Sequence, residues 1–124
     1  QERGKIISEW LQRARDDFES AEVILSETDN YEIAAYHAHQ AIEKILKAEL
    51  LKNGEMFKFI HDLVVLFQQV FKSEDRQKLF KEVSFVHSLY PILRYPSGDQ
   101  VTEQQAIKCL DVAKAVFREL QTQP

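Results

Sequence analysis

The chain has 124 residues, enough for one domain with a substantial core. Hydrophobic residues make up 44% and charged residues 29%, which excludes a disordered chain, and three glycines with three prolines argue against a many-turned β fold. The formal net charge of −4 excludes a general attraction to nucleic acid, so any phosphate contact has to come from a local patch. No apolar run approaches the roughly 20 residues of a membrane span and no secretory signal is visible, so a cytoplasmic location is expected. Cys109 stands alone, which rules out an intrachain disulfide and a cysteine metal cluster.

The first predicted helix covers about 5–25. Ile7, Trp10, Leu11, Ala14, Phe18, Ala21 and Leu25 recur at helical spacing and mark its buried face, whereas Glu9, Arg13, Asp16 and Asp17 are expected in solvent. The polar turn 26–30 returns the chain antiparallel. A second helix follows over 31–54, with Asp29 or Asn30 to cap its start and Gly54 to close its end. Ala34, Ala38, Ala41, Ile42, Ile45, Ala48 and Leu50 form its apolar stripe, and the alanines let a neighbouring helix approach closely. Tyr36, Gln40, Lys44 and Lys47 fall on a second, polar line.

Met56 and Phe57 lie in a loop expected to tuck under the bundle. A third helix is predicted over 61–71, with Leu63, Val64, Leu66, Phe67 and Val70 apolar. Ser73 offers the cap of a fourth, which carries Leu79, Phe80, Val83, Val86 and Leu89. Pro91 and Pro96 restrict the backbone, so regular helix should end near Tyr90 and 91–101 should be the longest irregular segment. Thr102, Glu103, Gln104 and Gln105 read as a capping box opening the last helix. Its stripe is Ile107, Leu110, Ala113, Val116, Phe117 and Leu120. The expectation is an all-α antiparallel bundle of about five helices, one domain over 1–124.

The four histidines do not suggest a metal site. His37 and His39 are two residues apart, which on a helix sets them about 200° around the axis from each other. His61, followed by Asp62, suits a cap or an interhelix hydrogen bond. Lys44 and Lys47 read either as a solvated face, with Glu43 and Lys47 an ordinary i,i+4 pair, or as part of an anion site. Arg94 and Tyr95 stand between two prolines, where rigid backbone can hold them. A guanidinium there suits a phosphate and a tyrosine can stack on a base. The plainer alternative has Arg94 bonded to helix C-terminal carbonyls and Tyr95 packed as a lid. Cys109 reads as a small buried hydrophobe.

The segment AYHAHQAIEKILKAELLKNG at 35–54, the run His61, Asp62, Leu63 and the later run YPILRYP at 90–96 together resemble the HEPN domain family. Gln40, Ala41, Glu43, Lys44, Lys47 and Ala48 match its second-helix pattern. The resemblance implies a helical bundle that dimerises, is often encoded beside a minimal nucleotidyltransferase and belongs to toxin–antitoxin or defence systems. Several branches are metal-independent ribonucleases, in which an Arg is followed by four to six residues and then a His; the His serves as acid or base and the Arg holds the phosphate. That motif is absent here. None of Arg3, Arg13, Arg15, Arg76, Arg94 and Arg118 has a His at this distance, and the nearest substitute is reversed, His87 before Arg94 with Pro91 between.

The reading is therefore a non-catalytic homodimer that binds a nucleotide and pairs with a nucleotidyltransferase, without metal or cofactor. Arg94, Tyr95, Lys44 and Lys47 would contact phosphate or base, converging in one positive patch, with His37, Gln40 and His87 nearby. A ribonuclease toxin using His87 and Arg94 on RNA is the alternative, and a structural interaction bundle the third. Phe57, Phe59, Phe67, Phe71, Phe80 and Phe85 exceed what one core face should bury, which motivates the dimer.

Overall fold

The computed structural model describes residues 2–57, 61–72, 76–96 and 98–120. Its elements in chain order are α1 (Glu2–Glu27), α2 (Tyr31–Lys52), α3 (Leu63–Val70), α4 (Gln77–Ser88), α5 (Tyr90–Arg94) and α6 (Glu103–Glu119). The fold is all-α. The apolar stripe of the second helix becomes the axis of the molecule, since α2 packs against each of the other five helices. Ala34, Ala35, Ala38, Ala41 and Ala48 on α2, with Ala14 and Ala21 on α1, are all but inaccessible, which is what close helix approach over small side chains produces. Arg3 near the start of α1 donates from Nε and Nη2 to the Leu51 carbonyl at the end of α2, so the two helices run antiparallel. The core is completed by Leu63, Leu66 and Phe67 of α3, Val83 and Val86 of α4, and Val112, Ala113, Val116 and Phe117 of α6.

α1 runs longer than expected at both ends. α2 begins after Asn30 without the expected side-chain cap and ends at Lys52 with Asn53, not Gly54, as its C-cap. Two further boundaries differ for identifiable reasons. α3 starts at Leu63 rather than His61 because Asp62 is its N-cap, its Oδ1 accepting from the N–H groups of Val64 and Val65. The segment after Leu89 is not wholly irregular: Tyr90–Arg94 is a single helical turn with Pro91 in its first positions. Proline fits there because its missing N–H would be unpaired in any case. Ile92 and Leu93 donate to the Leu89 carbonyl, so α5 follows α4 with only Leu89 between them. The chain turns extended at Tyr95, the residue before Pro96. The capping box at the start of α6 is complete in both directions, Gln105 N–H to Thr102 Oγ1 and Thr102 N–H to Gln105 Oε1. Ser73, read as a cap for α4, lies outside the described residues.

The phenylalanine surplus is largely absorbed within one chain. Phe67 is buried and Phe57, Phe71, Phe80 and Phe85 pack against the core, while Phe59 lies outside the described residues. The exposed large apolar side chains, Ile6, Val23, Ile33, Met56, Val65, Tyr95 and Ile107, come from separate parts of the sequence. Among the described residues no helix is long and apolar enough to cross a membrane.

Candidate functional site

The polar line of α2 does not face solvent. Asp17 of α1, expected to be solvated, sits between two α2 side chains: it accepts from His37 Nδ1 at 2.9 Å and from Lys44 Nζ at 2.5 Å. Lys44 borders a cleft with Ile6, Trp10 and Arg13 of α1. Lys47 goes deeper. Its ammonium donates to Glu43 Oε2 at 2.9 Å, with the two side chains only 5% and 4% exposed, and lies 5.6 and 5.2 Å from the ring centroids of Trp10 and Phe57. Gln40 is buried as well. The expected convergence of Lys44 and Lys47 with Arg94 is thus corrected: Lys44 pairs with Asp17 of α1, and Lys47 pairs with Glu43 of its own helix beside the rings of Trp10 and Phe57.

Arg94 belongs to a different cluster, built around Tyr90 where α4 meets α5. Its Nη1 donates to the Tyr90 hydroxyl at 2.8 Å, and its guanidinium lies about 6 Å from the rings of Tyr90 and Tyr95. Three imidazoles surround the same tyrosine. His39 stacks on it with centroids 4.6 Å apart, and His61 and His87 lie near-parallel at 6.1 and 6.0 Å. His61 Nδ1 is 3.1 Å from both carboxylate oxygens of Glu43, and His87 Nε2 is 3.5 Å from Asp62 Oδ1. A continuous path therefore runs Lys47–Glu43–His61–Tyr90–Arg94. His87 and Arg94, which Pro91 was expected to part, stand against one ring.

His39 is fully buried and, among the described residues, neither ring nitrogen has a hydrogen-bond partner. Burial, aided by the neighbouring charges of His87 and His61, pushes its pKa down to about 3, so it is a neutral aromatic support beneath Tyr90. Sequence reasoning gave no site role to His39 or Tyr90; Glu43, read as a partner of Lys47 and a candidate buried carboxylate, is that. The available signal was the spacing of His39, Glu43 and Lys47, each four residues from the next and so on one helix row. The row read as functional mixed this line with that of Gln40 and Lys44.

Beside the cluster, a cleft of about 460 Å³ is lined by Arg94, Tyr95, Glu32, Asp99 and Gln100 among others. Tyr95 is 63% exposed, so it is not a packed lid. The cleft offers a fork of donors, an open aromatic face and two carboxylates: contacts for an anion, a planar ring and hydroxyl or amino groups. Among the described residues no three His, Cys, Asp or Glu side chains converge on a metal-sized site. The Cys109 thiol is buried, which pushes its pKa up to about 12 and keeps it an inert hydrophobe.

An all-helical bundle whose second helix carries a buried acid–lysine pair toward a Tyr–Arg turn defines the class. Residues 7–123 match the HEPN domain, and the chain belongs to the HEPN domain family. It is 31% identical over 125 residues to "Putative toxin MJ1304" of Methanocaldococcus jannaschii, covering 87% of this chain and 81% of that protein. Two solved structures share the fold. TT1696 from Thermus thermophilus superposes with a TM-score of 0.79 at 24% identity, over 93% of this chain and 95% of its own. ST0689, described as an archaeal HEPN homologue, gives 0.74 at 22% identity, over 93% and 94%.

Proposed function

We propose that this chain is the HEPN component of a toxin–antitoxin or defence-type pair, a homodimer that binds a nucleotide and works with a minimal nucleotidyltransferase. The observation that carries the nucleotide reading is Arg94. Its guanidinium is exposed and positioned by Tyr90 at the mouth of a cleft, whereas Lys44 and Lys47 are spent on internal pairs. In this reading the phosphate sits on Arg94 and the base stacks on Tyr95, while Glu32 or Asp99 accepts from sugar hydroxyls or an exocyclic amine. The toxin-like name of the M. jannaschii relative supports the pairing. Calorimetric titration of nucleotides into wild type and Arg94→Lys tests the site: equal binding by both removes Arg94 from it. Co-purification with a nucleotidyltransferase encoded next to the gene tests the partner, and light scattering at micromolar concentration tests the dimer.

One observation favours a second reading, RNA cleavage. His87 and Arg94 both contact Tyr90, so a histidine acid or base and a phosphate-holding arginine stand at one ring despite their reversed order. Incubation with structured and single-stranded RNA without added metal decides it. Cleavage by wild type that is lost in His87→Ala would make the ribonuclease the better account.

A further inference from the structure

The cleft that Arg94 lines is uneven in charge, and the unevenness follows from the path of the chain. Arg94 closes the single turn of α5, the backbone runs extended at Tyr95, and Gly98 turns it back at a φ of 86°, which glycine adopts without strain. Asp99 and Gln100 thereby line the same hollow as Arg94, with Glu32 of α2 as a second carboxylate. Among the described lining residues Arg94 is the one cation, facing two anions. The groups that hold Arg94 charged are tyrosines and not carboxylates: the Tyr90 hydrogen bond first, then the nearby Tyr95 and Tyr36, raise its pKa. Past Glu32 the surface continues into a second hollow shared with Gln100. Asp29 adds a third carboxylate there, and its described lining holds no cation.

We infer that the nucleotide taken by this cleft is a nucleoside monophosphate and not a triphosphate, an inference that rests on the nucleotide reading above. The guanidinium of Arg94 lies only 6.0 Å from the centre of the Tyr95 ring. With the base stacked on that ring, the phosphate within reach of the fork is the one attached directly to the nucleoside. Such a group carries about 1.5 to 2 negative charges near neutral pH and presents oxygens that the fork can bind in parallel. A triphosphate brings further phosphates that the cleft has no cation to meet. They either extend into water, where nothing is gained, or run along the cleft toward Glu32, Asp99 and Asp29, where like charges repel. Lys44 and Lys47 bring no relief, because each is held in an internal pair. The net charge of −4 acts in the same direction. The carboxylates thus serve a monophosphate, as acceptors for its hydroxyl or amino groups, and oppose a longer phosphate chain. In an exposed cleft the preference should be about threefold to tenfold and should shrink as salt screens it.

The experiment is calorimetric titration of the four ribonucleoside monophosphates and the matching triphosphates into wild type and the double variant Glu32→Gln, Asp99→Asn. It is run at low and moderate salt, with and without magnesium. The quantity read is the ratio of monophosphate to triphosphate affinity for each base, so a hydrogen bond weakened equally for both cancels. Wild type should favour the monophosphate, less so at moderate salt, and the variant should lose most of that preference. Both positions are exposed, so the variant should fold, which circular dichroism checks. Equal or tighter binding of triphosphates by wild type overturns this inference and leaves the nucleotide reading standing. So does a monophosphate preference that the variant keeps in full. A triphosphate preference that arises only with magnesium overturns it too, by assigning the carboxylates to a bridging cation. If wild type binds none of these nucleotides, both the inference and the nucleotide reading fall.

Discussion

The seam between α1 and α2 and the corner between α4 and α5 use the same kinds of residue to opposite ends. At the seam, His37, Lys44 and Lys47 meet Asp17 and Glu43, and the charges are consumed inside the fold. At the corner, Arg94 is anchored by a neutral hydroxyl, so its charge is oriented without being cancelled. A cation is available to a ligand when its anchor is uncharged and its head is in water. By that criterion the proposed anion site belongs at the corner and not on the lysine-bearing helix.

The comparison breaks most visibly at Glu43. Glu43→Ala leaves the Lys47 ammonium buried without its carboxylate, and loss of one partner of such a pair costs about 3–5 kcal/mol. Urea denaturation should show a midpoint shift of that size; a loss below about 1 kcal/mol would mean that the pair is not structural. Lys47→Ala should likewise act on stability and not, as a solvated lysine would, on salt-sensitive binding.

A second test uses pH. His39 is held neutral in the folded chain down to about pH 3 but takes a proton in the unfolded chain below the ordinary histidine value of 6.5. Between those values the unfolded state binds the extra proton. Its contribution to stability is therefore present above pH 6.5 and declines as pH falls, by up to about 1.4 kcal/mol per pH unit. Denaturation curves at pH 7, 6 and 5 should show this slope, and His39→Leu should flatten it. An unchanged slope in the variant would reassign the acid sensitivity elsewhere.

At the corner the expected effect moves from stability to binding. Arg94→Lys should leave the denaturation midpoint within about 0.5 kcal/mol of wild type. Nucleotide affinity should fall roughly tenfold, because a lysine keeps the charge but loses the fork. The smallest effect is expected at Lys44, whose pair with Asp17 is partly solvated. Lys44→Ala should cost no more than about 1 kcal/mol and leave nucleotide binding unaltered. A binding loss there would bring the seam back into the site.

The bundle was legible because its signals are local. The alanine stripe of α2, the turn at 28–30 and the capping box at Thr102 depend on spacing and side-chain type alone. α5 was not legible, because proline reads as a breaker unless one knows that the chain restarts a helix at that residue. Asp17 was misread for a different reason. A carboxylate on the flank of a stripe is solvated only if no neighbouring helix offers it a cation, and that depends on how α2 rotates against α1. Arg94 and Tyr95 were legible as candidates, but their real neighbours, Tyr90, His61 and His39, come from three elements brought together only by packing.

Because α2 is clamped by every other helix while α5 is one turn long, the two halves of the candidate site should differ widely in how often their backbone opens. Amides of 39–47 should exchange with deuterium only in global unfolding, and those of 92–95 through small local openings. Ligand occupancy would then register almost entirely as slowed exchange in the short turn. The long helix serves as a fixed anvil against which a pliant turn is set.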